Sequence, residues 1–194
     1  MQYQKLRKIK SLYFSHMQVA ERLSIRPESA RVFCTRYVKN GLMVRIKKDI
    51  YVLTEKFERL RFEEQMQLAN IIQVPSYISL TTALSYYGIT TQIQQNYIES
   101  LSLKKSHHRL VSAIEFSFKK ISPHLYNGFV KQNSVFIATP EKAMADALYF
   151  VSIGRYAIDF SAIDFSTFDL EVIKNILDFF PARTQKLWRA HASI

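Results

Sequence analysis

Hydrophobic residues recur with helical spacing in the first third of the chain. Between residues 26 and 39, five of them follow the i, i+3, i+4, i+7, i+8 pattern of one buried stripe: Ala30, Phe33, Cys34, Tyr37 and Val38. Pro27 suits the first position of a helix, and Asn40-Gly41 suits the left-handed conformation that follows a helix end. The pattern therefore predicts a helix with one buried face and one exposed face.

A second helix is predicted immediately before this one. Ser15 and Gln18 form the S-x-x-Q pattern of a capping box, in which each side chain satisfies a backbone N–H of the other residue. Phe14 and Val19 occupy the two positions of a hydrophobic staple around the same helix start. The helix is expected to end near Ser24, and an earlier short basic helix is predicted over residues 3 to about 13.

The pattern changes to strand-like alternation after residue 42. Apolar and basic residues alternate over residues 44–47, and an apolar run follows at residues 50–53. Between them lies a cationic tip of Lys47, Lys48 and Asp49. Two helices followed by a hairpin predict a winged helix-turn-helix over residues 14–53, in which the hairpin is the wing.

The remaining residues alternate between helical and strand-like patterns, with no internal repeat. We expect helices over residues 56–73, 81–87, 140–153, 169–180 and 182–190, strands near residues 96–103, 114–121 and 135–138, and a short strand or turn at residues 77–80. The predicted fold class is α+β: an N-terminal winged helix-turn-helix, then a mixed α/β domain with a small sheet and C-terminal helices. The predicted domains are residues 1–55 and 56–194.

Composition narrows the class of protein. The chain has 194 residues with 48% hydrophobic residues, enough for a substantial core, and a single cysteine excludes an internal disulfide. Cys34 lies on the buried stripe, so we interpret it as a small core residue and not as a nucleophile or metal ligand. A reducing cytoplasm fits this cysteine usage, and the first five residues lack the apolar segment of a signal peptide.

Positive charge is concentrated at the N-terminal end. The net charge is +11; residues 1–56 contain 13 Lys and Arg against 4 Asp and Glu, whereas residues 57–194 contain 14 against 12. This asymmetry indicates a polyanionic partner for the N-terminal part alone. A membrane surface is the competing polyanion, but no long apolar span supports it. We therefore expect double-stranded DNA as the partner, with no membrane.

Specific residues follow from the predicted docking of such a fold. Residues near the start of the second helix are expected to contact base edges in the major groove: Arg26, Ser29, Arg31 and Thr35. Residues further along it and on the hairpin are expected to hold phosphates: Arg36, Lys39, Arg45, Lys47 and Lys48. The structural alternative is that the hairpin cations form an ordinary solvated edge.

Catalytic signals are weak throughout. The adjacent His107 and His108 would face opposite sides of a strand, which is poor spacing for metal ligands. We expect them to lie in a solvated loop instead. No phosphate-binding glycine loop, nucleophile elbow or zinc-binding H-E-x-x-H motif occurs, so we expect no cofactor, no metal and no enzyme activity. A nuclease with scattered carboxylates such as Glu115 or Asp146, targeted by the basic domain, is the alternative. A winged helix that binds a protein partner is another.

The chain resembles the AbiEi-type antitoxins, the regulator half of type IV toxin–antitoxin systems. In the N-terminal part the resemblance lies in Val19-Ala20, Tyr37-Val38-Lys39-Asn40-Gly41-Leu42 and Lys47-Lys48-Asp49-Ile50-Tyr51-Val52. In the second part it lies in Tyr77-Ile78-Ser79-Leu80-Thr81-Thr82-Ala83-Leu84, Tyr87-Gly88-Ile89, and Ala138-Thr139-Pro140-Glu141-Lys142-Ala143 with Asp146 and Leu148-Tyr149.

The resemblance covers most of the chain. It implies a winged-helix repressor that binds inverted repeats in its own promoter, and a C-terminal domain that counters a partner nucleotidyltransferase toxin. One departure is Asp49, which stands where the family usually has the glycine of the wing turn; Asp tolerates turn conformations better than most residues. The residues indicate neither the operator sequence nor the oligomeric state, and Lys104, Lys105 and Arg109 leave open whether the second domain also contacts DNA.

Overall fold

The computed structural model describes residues 2–192, and the fold is α+β. The chain divides into two units, Met1–Leu68 and Ala69–Ile194. The first unit contains α1 (Gln2–Arg7), β1 (Phe14–Ser15), α2 (His16–Leu23), α3 (Pro27–Lys39), β2 (Met43–Lys47), β3 (Ile50–Leu53), α4 (Thr54–Phe57) and α5 (Phe62–Ile72), whose last turn belongs to the second unit.

Helix α2 begins with the predicted capping box. The Ser15 hydroxyl accepts a hydrogen bond from the Gln18 backbone N–H at 3.3 Å, and the Gln18 side-chain oxygen accepts from the Ser15 N–H at 2.8 Å. The helix ends at Ser24, which adopts the left-handed conformation with φ 55°. The reciprocal bonds confirm the predicted start of α2, and the left-handed conformation of Ser24 confirms its predicted end.

Helix α3 also has the predicted boundaries. Pro27 occupies its first turn, and Gly41 follows its C-terminal end with φ 70°. Ala30, Phe33 and Cys34 are buried, and the rest of the predicted stripe packs against the same core. The apolar spacing therefore identified the buried face of α3 correctly.

The first helix is shorter than predicted, because α1 ends at Arg7 and residues 8–13 are not helical. Side chains from elsewhere in the unit bind backbone carbonyls at the end of α1 and in the segment that follows it. Arg22 Nε donates to the Lys5 carbonyl at 3.1 Å, and Lys56 Nζ donates to the Ser11 carbonyl at 2.8 Å. The chain then enters β1, so these tertiary hydrogen bonds replace the helical ones that the pattern predicted.

The strands of the first unit form an antiparallel sheet in the order β1-β3-β2. Phe14 pairs with Tyr51 and Ser15 with Ile50, so the two residues before α2 are held beside the hairpin. The pairing of β2 with β3 shifts between Arg45 and Lys47, which is the pattern of a β-bulge and places Ile46 in the core. A two-residue connection, Lys48 and Asp49, joins the strands.

The predicted helix over residues 56–73 is divided in two. Residues 58–61 lie between α4 and α5 and are not helical. The compact N-terminal unit extends to Leu68, beyond the predicted domain boundary after residue 55. The predicted boundary divides the chain by function and not by compactness, so it remains a prediction.

The second unit contains a larger sheet than expected. Its elements are β4 (Ser76–Ile78), α6 (Leu80–Tyr86), β5 (Tyr97–Ser102), β6 (His107–Val111), β7 (Ile114–Lys120), β8 (Phe129–Gln132), β9 (Val135–Ala138), α7 (Pro140–Ser152), α8 (Leu170–Leu177) and α9 (Ala182–His191). The strand order is β6-β7-β5-β4-β9-β8. The pairs β5–β7 and β4–β9 are parallel and the other neighbours are antiparallel, so the sheet is mixed.

Helix α7 is the centre of the helical layer in this unit. It starts after its N-cap Thr139, whose hydroxyl accepts from the Lys142 N–H at 3.3 Å, and Pro140 occupies its first turn. It contacts α6, α8 and α9 and is buried on several sides, including Lys142 and Asp146. A helix in this position can bury polar residues only where they find partners inside the unit.

A short repeat that the sequence analysis missed lies between α7 and α8. Residues 158–161 and 163–166 are both Ile-Asp-Phe-Ser. In each copy the aspartate carboxylate, of Asp159 or Asp164, accepts from the N–H at 3.0 Å and from the hydroxyl at 2.6 Å of the serine two residues later. Each copy thus forms one 3₁₀ turn, and the two turns are structural.

Among the helices of residues 2–192, none is both long enough and apolar enough to cross a membrane.

Candidate nucleic-acid interface and buried polar clusters

The face of α3 opposite the core is exposed and polar except for one residue. Glu28, Thr35 and Lys39 lie along it, and Val32 at its centre is 70% exposed. Single exposed apolar side chains are ordinary on protein surfaces, so Val32 serves only to mark the middle of this face.

The four predicted base-contacting residues lie on two sides of α3. Arg31 and Thr35 are one turn apart and flank the exposed face on one side, and the Thr35 hydroxyl donates to the Arg31 carbonyl at 2.9 Å. Ser29 lies about 160° from Arg31 around the helix axis, because each residue advances by about 100°. Arg26 is the residue before the helix and caps it with no side-chain hydrogen bond.

The predicted phosphate-binding residues of α3 are exposed near its C-terminal end. The guanidinium carbon of Arg36 lies 5.9 Å from the ring centroids of both Phe33 and Tyr37, so its stem is held against the aromatic residues of the core. Lys39 lies in the last turn and is exposed. Both cations are exposed to solvent near the end of α3 that precedes the hairpin.

The hairpin presents cations next to α3. Arg45 and Lys48 are exposed and Lys47 is half-buried. The bulge in β2 changes the alternation at this point, because it inserts one residue between the pairs Arg45–Tyr51 and Lys47–Ile50. Arg45 and Lys48 are therefore the hairpin cations with the greatest exposure.

Asp49 connects the hairpin tip to both helices. Its Oδ1 atom lies 3.6 Å from Arg31 Nε on α3 and 3.5 Å from His16 Nδ1 at the start of α2. The His16 side chain is 8% exposed, and within residues 2–192 its Nδ1 atom has no hydrogen-bond partner. Asp49 has φ 61°, the left-handed conformation that Asp adopts more readily than most residues.

Cys34 is a core residue, as predicted. It is fully buried in the hydrophobic cluster of the first unit. Burial, with a smaller contribution from the Asp49 carboxylate, raises the pKa of the Cys34 thiol to about 11. The thiol is therefore protonated at neutral pH and is a poor nucleophile.

The second unit contains a buried ion pair that the sequence analysis missed. We call Tyr77, Ser79, Lys142 and Asp146 the Lys142 cluster. Lys142 Nζ contacts Asp146 Oδ1 and donates to the Tyr77 hydroxyl at 2.9 Å, and both charged side chains are 0% exposed. The second Asp146 oxygen accepts from the Tyr77 hydroxyl at 3.0 Å and from the Ser79 hydroxyl at 2.8 Å. Every oxygen of the carboxylate therefore has a donor.

The two charges in this cluster depend on each other. Burial lowers the pKa of Lys142, and the Asp146 charge opposes that shift. Burial likewise raises the pKa of Asp146, and the Lys142 charge opposes it. The i, i+4 spacing of Lys142 and Asp146 was visible in the sequence, but spacing alone does not distinguish a buried pair from a solvated one.

A second buried polar cluster surrounds Glu99, which is 1% exposed on β5. The Tyr156 hydroxyl donates to Glu99 Oε2 at 2.9 Å and lies 2.7 Å from the Thr81 hydroxyl oxygen. The Glu99 backbone N–H donates to the Thr82 hydroxyl at 2.9 Å. Burial raises the pKa of Glu99 to about 7, although the Tyr156 hydrogen bond and the Lys119 charge oppose the shift.

Both clusters hold the turn from β4 into α6. Ser79 belongs to the first and Thr81 to the second, and Leu80 between them has φ 57°, which costs a non-glycine residue roughly 1–2 kcal/mol. These buried contacts offset that cost. The residues around this turn also carry part of the resemblance stated above. That part of the resemblance therefore consists of buried residues that hold the turn.

The two carboxylates named for a nuclease have different surroundings. Asp146 is fully buried in the Lys142 cluster, whereas the Glu115 side chain on β7 is 43% exposed and accepts from His108 Nδ1 on β6 at 2.7 Å. His108 lies on a strand, whereas a loop was expected. In the described part of the chain, no three His, Cys, Asp or Glu side chains are grouped as metal ligands would be.

In comparisons with known proteins, no family model, no curated protein and no solved structure matches the chain.

Proposed function

We propose that residues 14–53 form a winged helix-turn-helix that binds double-stranded DNA. The observation that carries the proposal is the arrangement of exposed cations on α3 and on the hairpin, within the part of the chain that holds most of the excess charge. Two consecutive helices, of which the first begins with a capping box, and a two-stranded hairpin are the parts that such a domain requires. Lysine and arginine on both parts would neutralise phosphates as α3 enters the major groove.

In this proposal α3 is the recognition helix. Arg31 and Thr35, with Val32 beside them, face base edges, and Arg26 and Ser29 contact the duplex from the start of the helix. Arg36, Lys39, Arg45, Lys47 and Lys48 hold phosphates and set the orientation of the helix. Arg45 and Lys48 are the hairpin residues whose exposure best supports this role.

We further propose that the chain is a cytoplasmic transcriptional autorepressor and the antitoxin of a type IV pair. It would bind inverted repeats in its own promoter and counter a nucleotidyltransferase toxin. The support for this part is the resemblance of both units to AbiEi-type antitoxins. The chain would act by binding, with no cofactor and no catalysis of its own.

A gel-shift titration tests the DNA-binding proposal. One probe is the duplex upstream of the gene for this chain, the matched control is the same duplex with its bases scrambled, and each is titrated at two salt concentrations. We expect tighter binding to the upstream duplex and a loss of affinity at the higher salt. Equal affinity for both probes would contradict sequence-specific repression, and no binding would favour a protein partner instead.

A growth assay tests the antitoxin proposal separately. The neighbouring gene is expressed alone and together with this chain. The Arg45→Ala/Lys48→Ala variant of this chain serves as the comparison. We expect the neighbour to arrest growth and the native chain to relieve the arrest. If the neighbouring product has no effect on growth, the antitoxin proposal fails while the DNA-binding proposal stands on the gel shift.

A further inference from the structure

Asp49 has an unexpected position for a surface meant to bind a polyanion. It is the second residue of the hairpin connection, directly after Lys48, and its side chain is 29% exposed. A carboxylate at such a place repels phosphates and lowers the affinity for any duplex. Its presence therefore requires a reason other than the strength of binding.

The contact with Arg31 supplies that reason. Asp49 Oδ1 lies 3.6 Å from Arg31 Nε, whereas the Arg31 side chain as a whole is 58% exposed. Arginine has five N–H donors, and a partner at Nε leaves the four donors of the two terminal amino groups free. At 3.6 Å the contact is an ion pair and not a hydrogen bond, and it favours conformations of Arg31 in which the terminal amino groups point outward.

The backbone directs the carboxylate toward α3. The φ of 61° at Asp49 turns the connection back toward the helices. His16 Nδ1 lies 3.5 Å from the same oxygen without a hydrogen bond to it, so the nearly buried imidazole packs beside the carboxylate at the start of α2. The hairpin backbone therefore places a carboxylate beside Arg31 on the next helix.

We propose that Asp49 is a specificity-determining residue that orients Arg31 toward a guanine. The inference rests on the proposed DNA binding and names the base that Arg31 contacts. Two outward amino groups in one plane match the O6 and N7 acceptors that guanine presents in the major groove. Asp49 lowers the affinity for all DNA and raises the preference for DNA with guanine at this position.

The test begins with a duplex selected by the native protein from a randomised library. Each guanine of the selected duplex is then replaced in turn by 7-deazaguanine, which lacks the N7 acceptor. We expect one replacement in each half-site to weaken native binding about tenfold. Arg31→Ala should show no loss at that position, which identifies the guanine that Arg31 contacts.

Asp49→Asn is the decisive variant, because asparagine has nearly the same size and also tolerates a positive φ. We expect it to bind a scrambled duplex more tightly than the native protein does, and to lose most of the dependence on the N7 atom. A variant that is only structurally damaged would bind both the selected and the scrambled duplex more weakly than the native protein does. Glu55→Gln is the matched control: it also removes a carboxylate that pairs with an arginine, Arg7 at 2.7 Å, and should leave the dependence intact.

Two further variants make the test independent of one substitution. Asp49→Gly removes the carboxylate and suits the positive φ, and should behave as Asp49→Asn does. Arg31→Lys keeps the charge without the planar pair of amino groups, so it should keep the salt dependence and lose the N7 dependence. The inference is overturned if Asp49→Asn or Arg31→Lys keeps the native loss at that guanine, or if no guanine depends on Arg31.

The proposed function fails by a different result. If the native protein selects no duplex from the library, DNA recognition itself is wrong, and that outcome appears before any variant is made.

Discussion

The Tyr156 hydroxyl donates a 2.9 Å hydrogen bond to Glu99, a carboxyl group that is 1% exposed in the second unit. Burial is the larger effect, so the pKa of Glu99 is raised from 4.5 to about 7. The folded chain therefore keeps a proton that the unfolded chain releases between these two pH values. This relationship makes the stability of the second unit depend on pH.

The free energy of unfolding should fall as the pH rises from about 4.5 through 7, by roughly 3 kcal/mol for this group. The stabilising contribution is complete below the unfolded pKa and is lost above the folded one. Urea denaturation of the native chain and of Glu99→Gln at pH 5 and pH 8 measures the effect. The variant should lose this part of the pH dependence, whereas Glu171→Gln, exposed on α8, should keep it; an unchanged slope in Glu99→Gln would contradict the assignment.

Lys142→Met should destabilise the second unit by about 3–5 kcal/mol, because it leaves the buried Asp146 carboxylate without its counter-charge. Lys142→Met/Asp146→Leu should recover a large part of that loss, since the double variant buries no charge. Guanidinium denaturation measures both. Lys174→Met, on the exposed side of α8, is the control and should change stability by less than about 0.5 kcal/mol. A double variant as unstable as the single one would mean that packing, and not charge, dominates.

Arg45→Ala/Lys48→Ala should weaken binding to every duplex and reduce the slope of log affinity against log salt by about 2, because each phosphate contact contributes about 0.9. Lys174→Ala/Lys186→Ala removes the same charge from exposed positions of the second unit. That control should keep the native slope. Equal effects of the two double variants would show that net charge alone attracts DNA and that the hairpin has no special role.

Ser15→Ala should destabilise the first unit by about 1 kcal/mol, because the Gln18 N–H loses its acceptor at the start of α2. Thermal unfolding followed by circular dichroism measures the change. Ser11→Ala alters an exposed serine outside any helix start and should have little effect. If both variants unfold at the native temperature, the capping box contributes nothing measurable.

The parts of the fold that the sequence predicted depend on residues a few positions apart. The capping box needs Ser15 and Gln18, the start of α3 needs Pro27, and the buried face of α3 needs an apolar residue every three or four positions. Each of these signals acts within one or two turns of a helix. The cap at Thr139 was predictable for the same reason.

The candidate interface was predictable only as a set of residues. Charge and spacing named the exposed cations of α3 and of the hairpin. The division of Ser29 and Arg31 between two sides of the helix follows from helical geometry, but the contact from Arg31 to Asp49 does not. It requires the hairpin to fold back on α3, and no pattern within either segment encodes that distance.

Alone, the sequence determined most of the helical and strand-forming segments, the capped starts of α2 and α7 and the location of the excess charge, because these properties arise from neighbouring residues. The tertiary structure decided that α1 ends at Arg7, that β6 and β8 border a six-stranded sheet, and that Lys142 and Asp146 are buried. Strand order and the burial of a charge are set by partners far apart in the chain, such as Tyr77 and Asp146. The free energy of those contacts exists only once the whole unit has folded around them.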